Sequence, residues 1–133
     1  MEQTYVMLKP DAFKRKLVGE VILRLEKKGF AVVDCKMMQL DEPILREHYA
    51  HLTSKPFFKE IVDYITSGPV LAMIVEGENA VQNVRNMVGA TNPLEAAPGT
   101  IRADFALSKT ENIVHCSDSP ESAKIEIKRF FNK

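Results

Sequence analysis

The chain contains no tryptophan, only two cysteines and only six glycines in 133 residues. Cys35 and Cys116 make no disulfide framework and have no zinc-ligand spacing. Both read instead as small core residues, the usual place of a free thiol. Net charge is missing too, since 18 basic side chains offset 18 acidic ones. That balance argues against generic binding to nucleic acid or anionic membranes, which leaves a basic excess. Any anion must be held by a few placed cations. No run approaches the roughly 18–20 consecutive apolar residues of a membrane span. The start, Met1-Glu2-Gln3-Thr4, lacks the basic and then apolar regions of a secretory signal. A cytoplasmic protein is the expectation. No G-x-x-x-x-G-K-[ST] and no G-x-G-x-x-G occurs, so a P-loop or dinucleotide turn is not indicated.

What is present, 45% hydrophobic and 27% charged residues, is the composition of one ordinary domain over residues 1–133. A chain of this size buries about two-thirds of its unfolded surface and needs no staples. Residues 4–9 read as a short strand stopped by Pro10-Asp11. Val18, Val21, Ile22 and Leu25 then form a helical stripe, with Gly29 at its C-terminal cap. Residues 30–40 read as a strand with Val33, Cys35 and Met37 on one face. Residues 41–52 and 56–66 look like two helical pieces, and residues 70–75 like a central strand covered on both faces. A helix over residues 79–88 is followed by a long aperiodic loop, 89–111, of a length that is usually functional or disordered. Residues 112–117 make a last short strand. Ser119 then caps a final helix through Phe131, with Pro120 at its first position and Ala123, Ile127, Phe130 and Phe131 as its buried stripe. The order β-α-β-(αα)-β-α-loop-β-α is an α/β (α+β) arrangement. It fits a ferredoxin-like split β-α-β fold or a small parallel sheet, and periodicity leaves both open.

The densest polar cluster is Asn112-Ile113-Val114-His115-Cys116-Ser117-Asp118-Ser119. Strand alternation puts His115 and Ser117 on one face and turns Cys116 away, which excludes a Cys–His nucleophilic pair. Ser117 lacks the flanking glycines of a hydrolase elbow. His115 remains. Glu126 lies about 60° from Ala123 on the helical wheel, at the rim of the apolar stripe. There it can accept an Nδ1–H bond from the imidazole and leave Nε2 free. An imidazole of ordinary pKa, about 6.5, is mostly neutral at cytoplasmic pH and nucleophilic without a large shift. Lys9, Arg85 and Arg102, with Thr91 and Thr100, are scattered cations and hydroxyls from which a polyphosphate site can be assembled. His48 and His51, three residues apart, read as a polar helix face and not as a metal pair. Of Phe57 and Phe58, one reads as core and the other as a stacking platform for a base.

The 112–119 segment resembles the active-site signature of the nucleoside diphosphate kinases. The likeness extends over essentially the whole chain, through Met7-Leu8-Lys9-Pro10-Asp11, Lys55-Pro56-Phe57-Phe58, Ser67-Gly68-Pro69-Val70, Gly89-Ala90-Thr91-Asn92-Pro93 and Pro98-Gly99-Thr100-Ile101-Arg102-Ala103-Asp104-Phe105. The resemblance implies a ferredoxin-like sandwich, with a four-stranded antiparallel sheet, helices packed on it and the long loop before the last strand. It implies ping-pong transfer of the γ-phosphate of ATP or another NTP to an NDP or dNDP, maintaining NTP and dNTP pools. The carrier is a pros-phosphohistidine at His115, with Glu126 bonding and orienting the ring at Nδ1 and Ser117 steadying that glutamate. By the same likeness Tyr49 lies beside the imidazole, while Lys9, Arg85, Thr91 and Arg102 hold phosphates. Lys9 and Asn112 meet ribose hydroxyls and Phe57 stacks on the base. Mg2+ arrives on the nucleotide phosphates, with Asp118 as a contact through water. A homo-oligomer, tetramer or hexamer, is also implied. Base stacking is sequence-tolerant, which implies broad specificity. The chain departs from the family at Cys116 and Ala103, where relatives carry small residues, and at Lys109 near the base. A nucleotide sensor whose catalysis Cys116 has removed is the rival reading.

Overall fold

The computed structural model describes residues 1–133. Four strands, β1 (Glu2–Leu8), β2 (Ala31–Met38), β3 (Val70–Gly77) and β4 (Val114–Cys116), form one sheet in the order β2-β3-β1-β4. Every pairing is antiparallel, which decides against the parallel alternative. Seven helices cover it: α1 (Pro10–Lys14), α2 (Val18–Lys28), α3 (Glu42–His48), α4 (Phe58–Ile65), α5 (Ala80–Val88), α6 (Ile101–Phe105) and α7 (Pro120–Phe131).

Alternation along β1 builds two cores. Val6 and Leu8 face one side, against Val21 and Leu25 of α2 and Val84 and Val88 of α5. Tyr5 and Met7 face the other, against Leu45 of α3, Val62 and Ile65 of α4, and Ile127 and Phe130 of α7. Central β3 is buried along most of its length, as its unbroken apolar run requires. Ser119 caps α7 by accepting a hydrogen bond from the Ser122 amide, a contact worth about 1 kcal/mol. Gly29 ends α2 at φ 106°, as the cap position demands.

Four expectations change. The Pro10-Asp11 stop is itself the start of the short helix α1. In β2 a bulge between Val32 and Asp34 moves the alternation by one, so Val32 and not Val33 shares a face with Cys35 and Met37. That strand lies at the sheet edge, where the helices cover it only in part, so Cys35 is exposed and is not a core residue. Residues 89–111 are not wholly irregular, because a 3₁₀ turn (Pro93–Glu95) and α6 occupy part of them. Thr100 caps α6 through the Ala103 amide, a local signal that the aperiodic pattern hides.

Candidate active site

A cleft of about 1280 Å³ opens between the end of β4, the first half of α7, the α3–α4 segment and the loop after α5. Its position follows from the sheet order: β4 pairs with β1 over three residues only, so its end is left open beside α5 and α7. His115 faces Met7 across the ladder and therefore lies on the Tyr5–Met7 side of the sheet. Cys116 pairs with Val6 and points to the opposite core, as strand alternation requires. The imidazole side chain keeps 20% of its surface exposed, enough to be reached from the cleft.

Glu126 and Ser117 meet this ring. Glu126 Oε1 lies 3.0 Å from His115 Nε2 and accepts the Ser117 hydroxyl at 2.6 Å. Ser117 Oγ in turn accepts the Tyr5 amide at 3.3 Å, so the group is tied to the central strand. The nitrogen that Glu126 takes is Nε2, not Nδ1 as position alone had suggested. Nearly two turns into α7, the carboxylate meets the ring at the nitrogen farther from the backbone. A carboxylate only accepts. Nε2 therefore carries the ring proton and Nδ1 keeps a free lone pair, which is the nitrogen that a pros-phosphohistidine requires.

The cations surround the same cleft. Lys9 is buried and donates to Asn112 Oδ1 at 2.7 Å. Burial, then the neighbouring Arg102, pushes its amine down to about 7, against a smaller upward pull from Asp11. Arg102 is buried as well and donates to Gly89 O at 3.1 Å and Val114 O at 2.6 Å. Its Nε finds no partner within the chain, a buried donor in a cleft wall. Arg85 is exposed and donates to Asp118 O at 3.0 Å. Gly89 has φ 90°, and a Cβ there would lie 2.5 Å from Thr100 Oγ1, so only glycine fits between α5 and the Arg102 clamp. Thr91 lines the cleft, and its carbonyl lies 3.5 Å from Asn112 Nδ2, which also donates to Lys109 O at 2.8 Å. Phe58 is core, whereas Phe57 is 45% exposed at the cleft wall. Lys109 and Asp118 line the cleft too. The Ser122 hydroxyl, then the Arg85 charge and the Ser119 hydroxyl, hold the Asp118 carboxyl below its ordinary range.

Tyr49 lines the cleft, and burial raises its phenol. Its ring packs on His48 at 4.7 Å, and His48 packs edge-on against His115 at 4.6 Å. His48 is thus not part of a solvated polar face. It is buried, accepts from Arg129 Nη1 at Nδ1 (2.8 Å), and burial and then His115 hold its pKa down to about 2. A permanently neutral ring therefore stands beside His115. His48 follows Ile44 and Leu45 at i+4 and i+3, so the apolar stripe of α3 carried the signal for its burial. His51 is exposed, at the outer wall of the cleft.

His48, His115 and Glu126 place ligand atoms within 4.8 Å of one another. Two nitrogens and a guanidinium bonded to one of the rings do not suit Mg2+, which takes oxygen ligands. Asp118, an ionised carboxylate on a cation-lined cleft, suits contact with a magnesium ion carried by phosphates. Cys116 and Ala103 have ordinary backbone with φ below zero, so neither departure strains the site. One residue does carry strain. Ile113, two residues before His115, has φ 75° in a γ-turn closed by Val114 N–H to Asn112 O at 2.8 Å. For a β-branched residue that conformation costs on the order of 1–3 kcal/mol.

A family model described as nucleoside diphosphate kinase matches residues 2–133. A nucleoside diphosphate kinase of Archaeoglobus fulgidus is 59% identical over 132 residues, covering 99% of this chain and 87% of the relative. That of Methanothermobacter thermautotrophicus is 56% identical over 133 residues, covering 100% and 89%. Among solved structures, the apo nucleoside diphosphate kinase of Encephalitozoon cuniculi superposes with a TM-score of 0.97 at 44% identity, covering 100% of this chain and 90% of that one. The Aquifex aeolicus enzyme gives 0.92 at 40% identity, covering 98% and 94%.

Proposed function

We infer the chemistry of this site from the premise that the chain belongs to the nucleoside diphosphate kinase family. The protein transfers the γ-phosphate of a nucleoside triphosphate to a nucleoside diphosphate. The observation that carries the residue-level reading is the Glu126–Nε2 contact at 3.0 Å, which frees Nδ1 of His115 beside a cleft lined by Lys9, Arg85 and Arg102.

In the first half-reaction the Nδ1 lone pair forms a bond to the γ-phosphorus, and the bond to the β–γ bridging oxygen breaks. The diphosphate leaves with that electron pair. In the second, a diphosphate oxygen of the acceptor attacks the same phosphorus and the P–Nδ1 bond returns its electrons to the ring. The ring proton stays on Nε2 throughout, shared with Glu126, which Ser117 holds in place. Phosphoryl transfer needs alignment and charge neutralisation more than covalent machinery. Lys9, Arg85, Arg102 and Thr91 supply these here, with Phe57 stacking on the base and Lys9 and Asn112 at the sugar. Asp118 would hold, through water, the Mg2+ that comes with the nucleotide, and that ion would supply further charge neutralisation at the phosphates. Steady-state rates with ATP and GDP should give parallel double-reciprocal lines. Intersecting lines would reject a phosphoenzyme route.

Two side chains give separable expectations. Arg85→Ala removes charge-assisted hydrogen bonds worth about 1.5–3 kcal/mol, so ATP should bind roughly ten- to a hundredfold more weakly. Free nucleoside should be almost unaffected, and equal losses for both would remove Arg85 from the phosphate site. Lys9, at about 7 in the free protein, regains its proton when a phosphate anion arrives. The bound state then holds more protons than the free one, so affinity falls as pH rises through that value. At about pH 8 and above, ADP binding should take up close to one proton, weakening nearly tenfold per pH unit. Calorimetry in buffers of different ionisation enthalpy measures this, and Lys9→Arg, which cannot lose its proton, should abolish it.

The exposed edge strand β2 presents Val33 and Met37 at 47% and 65% exposure, and we assign it to contact with a second copy in a tetramer or hexamer. Sedimentation of the native protein as a monomer would reject that assignment. No helix is long and apolar enough to cross a membrane. We place the protein in the cytoplasm, where its nucleotide substrates are, as one domain over residues 1–133.

A further inference from the structure

We propose that Asp11 is a positioning residue for His115, acting through the strained turn at Ile113; this rests on the reading of His115 as phosphoryl carrier. Asp11 is 4% exposed at the start of α1, and its two oxygens are both taken. Oδ2 accepts the Ile113 amide at 3.1 Å, and Oδ1 accepts the Tyr64 hydroxyl from α4. The Lys9 amide donates to Ile113 O at 2.8 Å. The segment Lys9-Pro10-Asp11 thus satisfies both backbone groups of the one residue that adopts an unfavourable conformation at the base of β4.

That turn orients the residues on each side of it. Before it, Asn112 receives the Lys9 ammonium at 2.7 Å. After it, Val114 and His115 enter the ladder opposite Leu8 and Met7. An Ile113 relaxed to negative φ would rotate the following peptide and turn His115 away from Glu126. The clamp calls for a carboxylate because two donors converge on it. An asparagine offers one acceptor oxygen and sets its NH2 against the other donor. Tyr64 orients the carboxylate, and Asp11 itself does not line the cleft.

Asp11→Asn should lower kcat by about tenfold to a hundredfold, the cost of roughly an ångström of misplacement, with a smaller rise in the KM for ATP because Asn112 is held by the same turn. The Ile113 amide, protected in the native protein, should exchange with solvent about tenfold faster or more. An unchanged kcat overturns the proposal. A lower kcat with Ile113 still protected also overturns it, since Asp11 would then act elsewhere. Should Asp11→Asn fail to fold, Tyr64→Phe keeps the carboxylate and loosens only its orientation. About a threefold drop in kcat with faster Ile113 exchange is expected there, and no change in either overturns the proposal. The kinase reading fails separately: native protein that forms no phosphohistidine would reject it, while Ile113 exchange would still test the clamp.

Discussion

His115→Ala should form no acid-labile phosphoprotein when mixed with γ-labelled ATP in the absence of an acceptor, while the native protein labels once per site. Loss of a covalent nucleophile costs on the order of 10⁶ in kcat in a well-measured case, and a fall of at least about 10⁴ is expected here. The expectation is this large because the groups packed beside His115 cannot replace it. Cys116 faces the opposite core and its thiol is raised by burial. His48 is held by Arg129 through the nitrogen that has its lone pair. Ser117 gives its proton to Glu126. Nucleotide affinity should change little, because the phosphate cations remain. Label that persists in the variant would mean that another residue carries the phosphoryl group.

Glu126→Gln should lower kcat by about 10²–10³ and leave ADP affinity nearly intact. The loss arises from the tautomer. Glu126 Oε1 accepts from two donors, the Ser117 hydroxyl and His115 Nε2–H. A glutamine that sets its NH2 at the Oε1 position donates to Nε2, while the Ser117 hydroxyl turns to the Tyr5 carbonyl 3.5 Å away. The ring then moves its proton to Nδ1 to accept that bond, and the lone pair that attacks phosphorus is gone. Nitrogen chemical shifts of His115 report the switch directly. An unchanged rate, or a ring still protonated on Nε2 with a lowered rate, would count against this account.

The Glu126 expectation depends on which side of the imidazole the carboxylate approaches, and the helical wheel did not contain that information. It placed Glu126 at the rim of the α7 stripe, where the structure has it. Whether a carboxylate there meets Nδ1 or Nε2 depends on the height of α7 over β4 and on the ring's rotamer, which are tertiary quantities. The β2 face shows the same limit. Alternation alone pairs Val33 with Cys35, but a single bulged residue reverses the partner, and the edge position exposes the face.

Local order was legible: the α2 stripe ending at Gly29, the Ser119-Pro120 start of α7, the buried run of β3, and His115 with Ser117 on one face. These follow from periodicity, capping chemistry and alternation, all of which act over a few residues. The chain motifs also carried the family. Packing decided the rest. It buried His48 as a neutral ring, brought Asp11 to Ile113 across 102 residues of sequence, and set Glu126 against Nε2 of His115. Each of these is a contact between segments distant in sequence, made by desolvation and by the matching of donors to acceptors, and no short-range pattern encodes such a pairing.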